Sequence, residues 1–157
     1  MVGALGLLFP LAFASGCAHA GAGTEADSEA AVAAGVLAAV RLYLPPEEAV
    51  PGLCVEVSSS SEFEQGVVAL LQQQGTMVVT MPDCGRLGRG AALWVRVLSY
   101  DWVDWLTHGK MEVQGTVETH PAERANFRLS WWRASFRARL AFQDGQWVAA
   151  ADDLGRI

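Results

Sequence analysis

From residue 91 onward, apolar and polar residues alternate with a period of two in successive segments. That period belongs to strands with one face buried. "AALWVRVLSYDWVDW" (91–105) places Leu93, Val95 and Val97 on one face, and Trp94, Arg96, Leu98, Tyr100 and Trp102 on the other. "KMEVQGTVE" (110–118) sends Met111, Val113 and Val117 inward, and Lys110, Glu112, Gln114, Thr116 and Glu118 outward. "NFRLSWWRASFRARLAF" (126–142) reads as a long strand whose alternation slips at Trp131–Trp132, as a bulge would make it. Past the slip, Trp132, Ala134, Phe136, Ala138, Leu140 and Phe142 share a face, with Arg133, Arg137 and Arg139 opposite. Asp144-Gly145 is a two-residue hairpin signal, and "QWVAAAD" is the returning strand. Connections this short imply an antiparallel meander.

Upstream the period changes. Val32, Val36, Leu37, Val40 and Leu44 form a helical stripe that Pro45-Pro46 ends, with Gly35 and many alanines on the other side. "GLCVEVSSSS" (52–61) is a short strand and a polar break; Leu53, Val55 and Val57 face one way, Cys54 and Glu56 the other. Ser61 and Glu64 then form a capping box for a helix bearing Phe63, Val67, Leu70, Leu71 and Gln74, which Gly75 stops. "TMVVTMPDC" (76–84) supplies a second strand, ended by Pro82, and "GRLGRG" a glycine-rich loop. The expected fold is α+β, ordered α-β-α-β-β-β-β-β, with two helices covering one face of a mostly antiparallel sheet.

The N-terminus speaks to location. "VGALGLLFPLAFASG" (2–16) is uncharged, and Leu5–Phe13 has the length of a signal-peptide apolar core, shorter than a membrane span. Small residues Ala14, Ser15 and Gly16 precede Cys17. This stretch resembles the lipobox of bacterial lipoproteins. The resemblance implies that residues 1–16 are a removed signal peptide and that Cys17 carries the lipid anchor. Two departures are Ala14, where that family prefers leucine, and the lack of Lys or Arg before the apolar core. Ala18 after the cysteine implies sorting to the outer membrane, facing the periplasm; the alternative is a secreted or periplasmic protein. Residues 17–30 read as a flexible tether and 31–157 as a single domain.

With Cys17 set aside, an exported chain keeps Cys54 and Cys84, which most simply pair as a disulfide. A strand–helix–strand unit puts the end of one strand opposite the start of the other. The bond therefore requires the chain to turn back after Pro82, which the glycines at 85, 88 and 90 permit, or the two strands to run antiparallel.

Chemistry is sparse. A net charge of −6 argues against nucleic-acid binding. The three histidines, His19, His108 and His120, belong to no nucleophile or zinc motif, and Asp101 and Asp104 point to opposite sides of a strand. No catalytic residue, metal site or cofactor is expected. The distinctive feature is the pattern of aromatic and arginine residues at Trp94, Arg96, Tyr100, Trp102, Arg133, Arg137 and Arg139. These residue types are enriched at protein interfaces, so they define a candidate face for a partner or ligand.

The ending Asp144-Gly145-Gln146-Trp147-Val148, with the two cysteine-bearing segments, resembles that of uncharacterised bacterial exported lipoprotein domains, which carry no known activity. The same ending is similar to that of the NTF2-like superfamily, which implies a pocket inside a curved sheet lined by Trp94, Tyr100, Trp102 and Trp132. "FEQGVVALLQQQGTMVV…AALWVRVLSYDW" resembles the small α+β domain of the auxiliary lipoproteins of lipid transport systems. The expected function is a non-enzymatic, lipid-anchored envelope protein that binds or scaffolds an envelope protein partner; the alternative is an NTF2-like binding or catalytic pocket.

Overall fold

The computed structural model describes residues 25–44, 46–50, 52–119 and 133–157. Two helices and six strands follow the expected order: α1 (Glu25–Leu42), β1 (Gly52–Val57), α2 (Ser61–Gln73), β2 (Val78–Thr80), β3 (Ala91–Trp102), β4 (Lys110–Thr119), β5 (Arg133–Gln143) and β6 (Gln146–Arg156). The second strand is shorter than the expected 76–84: β2 stops at Thr80, and a 3-10 segment, Met81–Gly90, takes up the rest of that stretch and the expected glycine-rich loop on the way to β3. The described strands form one sheet in the order β2-β1-β3-β4-β5-β6. The fold is α+β.

The α2 crossover makes β1 and β2 parallel, because a strand–helix–strand path returns the chain to the same end of the sheet. β1 also runs parallel to β3. From β3 onward every pair is antiparallel. Asp144 and Gly145, with φ of 50° and 81°, form the hairpin turn between β5 and β6.

The α2 start differs in detail from the capping-box expectation. Ser60 is the N-cap, and its hydroxyl accepts from the Phe63 amide at 3.2 Å. Glu64 reaches past the cap to accept from the Val57 amide at 2.9 Å, which ties the helix to the end of β1. In a run of four serines each can cap, and the position that lets Glu64 reach β1 satisfies a second donor. Gly75, at φ 80°, terminates the helix as expected.

The first helix begins at Glu25, inside the segment expected to be tether, and Ser28 is already buried. Its burial is also wider than one stripe. Val32, Val36 and Val40 are fully buried, but so are Ala31, Ala33 and Ala39. Gly35 faces the sheet and not solvent: a Cβ there would sit 3.3 Å from Val113 and 3.5 Å from Ala138. Small residues let α1 lie close to β4 and β5 while also touching α2. The core beneath is built from Leu53, Val55, Leu93, Val95, Val97, Val113, Phe136 and Leu140.

Tyr43, just past α1, fixes the direction of that helix. Its hydroxyl lies 3.3 Å from the Ser135 carbonyl oxygen, at the start of β5, and 3.2 Å from Asp153 Oδ1, near the end of β6. Burial, then the charge and hydrogen bond of Asp153, push the phenol pKa up. A folded pKa above the unfolded value of 10.0 means that the contribution is complete below pH 10 and lost as pH rises. Tyr43→Phe should therefore cost about 1 kcal/mol at neutral pH. The deficit should shrink above pH 10 in urea melts; a deficit independent of pH would contradict this.

Candidate functional site

The face of the sheet away from the helices is the candidate site. Its composition is decided by one irregularity in β3. Val97 pairs with Gly115 and Ser99 with Gln114, so Leu98 is skipped in the β3–β4 ladder. A bulge of this kind exchanges the two faces for every residue beyond it. Before the bulge, Trp94 and Arg96 point away from the helices. After it, Tyr100 pairs with Val113 and Trp102 with Met111, on the core side. The expectation that Trp94, Arg96, Tyr100 and Trp102 share one face is thus corrected. Leu98, the bulged residue, is left exposed.

On the core side, Tyr100 stacks on Phe63 with ring centroids 4.8 Å apart and planes 3° from parallel. Its hydroxyl shares a 2.8 Å hydrogen bond with Ser59. Trp102 meets the ring of His108 edge-on at 4.9 Å and that of Trp147 at 5.8 Å. These aromatics join helix to sheet and strand to strand. Trp94, Tyr100 and Trp102 therefore do not line one cavity, and Trp132 lies outside the described residues.

The other face keeps the arginines. Arg133, Arg137 and Arg139 alternate with the buried Ala134, Phe136, Ala138 and Leu140 along β5. Each arginine meets a carboxylate from a neighbouring strand: Arg133 with Glu118 at 2.7 Å, Arg137 with Glu112 at 3.3 Å, Arg139 with Asp152 at 2.6 Å and Arg96 with Glu56 at 3.0 Å. Glu118 is the buried member, with its side chain 3% exposed, so its pairing with Arg133 is obligatory. The others are half-exposed pairs, each worth about 0–1 kcal/mol. The Arg96 guanidinium also lies 5.8 Å from the centre of the Trp94 ring. Four acidic partners were not singled out from the sequence, although Glu112 and Glu118 sit at outward positions of "KMEVQGTVE". What this surface offers is a row of long side chains laid across β1, β3, β4, β5 and β6, with their charges balanced internally.

Beside β1 this face is covered by the 3-10 segment. Cys54 points away from the helices and is fully buried. The chain turns back after Pro82 through the 3-10 segment, which brings Cys84 to a Cα–Cα distance of 5.6 Å from Cys54, with the sulfurs at bonding distance. β1 and β2 remain parallel, so it is the turn that makes the pairing possible.

At the β3–β4 hairpin an acidic side chain shapes the turn. Asp104 organises the turn: Oδ1 accepts from the amides of Leu106 at 3.2 Å and Thr107 at 3.3 Å, and Oδ2 from the Thr107 hydroxyl at 2.6 Å. The hydroxyl bond, then the Thr107 amide, hold its pKa below the ordinary 3.8. A depressed folded pKa stabilises the turn at neutral pH, and the effect disappears only as pH falls through that lowered value. The Thr107 amide resonance should therefore titrate with a midpoint below 3.8; a midpoint at or above it would remove the assignment. Among the described residues, no group of three or more His, Cys, Asp or Glu side chains could hold a metal. His19, His120 and Cys17 lie outside the described residues.

A groove of about 710 Å³ runs beside α1, bordered by Asp27, Ala34, Arg41, Gln74, Phe142 and Trp147. It lies apart from the arginine face and is lined mainly by small and apolar side chains. No helix among the described residues is long and apolar enough to cross a membrane.

No protein-family model matches this chain, and neither a curated protein nor a solved structure matches it.

Proposed function

We propose that this is a non-enzymatic envelope lipoprotein, anchored through Cys17 in the outer membrane and facing the periplasm, whose arginine face docks an envelope protein. The observation that carries the reading is the row of Arg96, Arg133, Arg137 and Arg139 on the sheet face opposite α1 and α2, with Trp94 beside it. Ion pairing holds these long side chains across the strands in the free protein. That reduces the rotamer entropy lost on binding, which costs about 0.5–1.5 kcal/mol per immobilised side chain. A partner that supplies carboxylates or backbone carbonyls can compete for guanidinium groups already in place.

Tyr100 and Trp102 are not part of this docking face, since the bulge sends them to the core side. The face consists of Trp94, Arg96, Arg133, Arg137 and Arg139.

Two experiments test the two halves of the proposal. A palmitate analogue fed to cells should label the wild-type chain but not Cys17→Ala; an unlabelled wild type refutes the anchor. A photo-crosslinking residue at Ser135 should trap one defined partner, whereas the same residue at Gln65 on α2 should not. Arg137→Glu with Arg139→Glu should abolish the Ser135 adduct. An adduct unaffected by the double charge reversal places docking elsewhere.

A further inference from the structure

We infer that the β3–β4 hairpin tip is a second membrane contact, which inserts Val103, Trp105 and Leu106 into the lipid surface beside the anchor. The inference rests on the Cys17 anchor proposed above, and its first support is exposure. Val103 is 63%, Trp105 72% and Leu106 72% exposed, in four consecutive positions interrupted only by Asp104. The other strongly exposed apolar side chains, Met77 and Ile157 among them, stand on separate segments.

The second support is rigidity. The turn holds its own shape: Asp104 takes three hydrogen bonds from Leu106 and Thr107, the His108 amide donates to the Asp104 carbonyl at 2.8 Å, and the Val103 amide donates to Lys110 at 3.0 Å. The carboxylate in the middle of the apolar stretch is thereby turned toward its own backbone. Beneath the tip, Trp102, His108, Trp147 and Phe142 pack ring to ring, and the Phe142 amide donates to the Gly109 carbonyl at 2.9 Å. Three apolar side chains are held out from a braced platform, so little ordering remains to be done when they bury.

The third support is where the anchor enters. β3 and β5 both flank β4 antiparallel, so the 103–109 tip and the Asp144–Gly145 turn lie at the same end of the sheet. Tyr43 pins the C-terminal end of α1 at the opposite end, near Ser135 and Asp153. The N-terminal end of α1 therefore points toward the tip, and Asp27 borders the same groove as Gly145 and Gln146. Cys17 lies eight residues before Glu25 in sequence, a reach of at most about 28 Å. A lipid on Cys17 thus holds the tip end of the domain toward the bilayer. Tryptophan with neighbouring aliphatic side chains suits the headgroup boundary, where the indole ring has an apolar body and a polar N–H. The tip carries Asp101, Asp104 and Lys110 and so has no excess of positive charge; the contact is apolar and does not depend on anionic lipid.

The test uses the full chain in two forms. In the first, lipidated protein is reconstituted into phosphatidylcholine vesicles containing brominated lipid. Tryptophan quenching should be clear in the wild type and largely lost in Trp105→Phe; equal quenching in both overturns the inference. In the second, the Cys17→Ala chain and the Cys17→Ala chain with Trp105→Ser and Leu106→Ser are compared on unbrominated vesicles. Partitioning should fall at least about tenfold with the tip changes and should not change between low and high salt. Strong salt dependence, or equal partitioning, overturns the inference. Circular dichroism checks that the variants fold. A chain that takes up the palmitate label but shows no quenching loses the tip and keeps the anchor. A chain that is unlabelled yet partitions through the tip loses the anchor and keeps the contact.

Discussion

The Gly115→Val variant should melt about 10 °C below the wild type, from a loss of about 3 kcal/mol. Gly115 lies in β4 opposite Val97, immediately beside the bulge, and faces Phe136 across the β4–β5 ladder. A Cβ at this position would overlap the Arg96 carbonyl oxygen and would lie 2.9 Å from the Phe136 ring. The Phe136 ring is fully buried and is among the largest side chains of the core, so it has no empty space to move into. The carbonyl is backbone and cannot rotate away. Relief requires β3 and β4 to separate where the bulge already interrupts their pairing. Gly115→Ala carries most of the same penalty, because the first carbon makes the clash. Thermal denaturation followed by circular dichroism measures it; a shift under about 3 °C would mean that the two strands part easily there.

Reducing the Cys54–Cys84 pair, or replacing Cys84 by serine, should lower stability by about 3–4 kcal/mol. The sequence separation is 30 residues, and closing a loop of that length removes about this much free energy from the unfolded chain on the chain-entropy model. Serine adds a second penalty, since a hydroxyl would replace sulfur where Cys84 is 7% exposed beside fully buried Cys54. Urea midpoints with and without reductant give the difference. Thiol titration of the denatured, unreduced protein should find Cys54 and Cys84 unreactive. Two reactive thiols, or reductant with no effect on the midpoint, would contradict the bond.

The strand–helix order and the meander were legible because hydrophobic period, turn residues and helix stops agreed. "KMEVQGTVE" and Asp144-Gly145 needed no tertiary information. The bulge at Leu98 was hidden, because "VRVLSYDW" alternates equally well in either register. Only the cross-strand partners, Val113 for Tyr100 and Met111 for Trp102, decide the face. Its location does have a trace in sequence: Gly115, a glycine in the middle of the next strand, opposite Val97. The extent of α1 burial was hidden for the opposite reason. Alanine and glycine are silent in a hydrophobic stripe, yet Ala31, Ala33, Gly35 and Ala39 set how near the helix lies. The charge balance of the candidate site needed pairing partners from five strands, and a strand's own pattern reports only its two sides.

The sheet order carries a consequence for how the chain acquires its shape. β3 with β4 and β5 with β6 join neighbours through short turns, so their ladders close early at small entropic cost. β1 is different: its pairing with β3 must wait until α2, β2 and the 3-10 segment have been threaded between them. The α1 helix waits longer, because the surface it packs on includes Val113 of β4 and Ala138 of β5. This order predicts folding against the direction of the chain, from the C-terminal strands toward the N-terminal helix. Substitutions at Val113 or Leu140 should slow folding, and those at Val36 should chiefly speed unfolding; the reverse pattern in a chevron series would exclude this order. A chain delivered N-terminus first would hold α1 unsheltered until its last strands arrived.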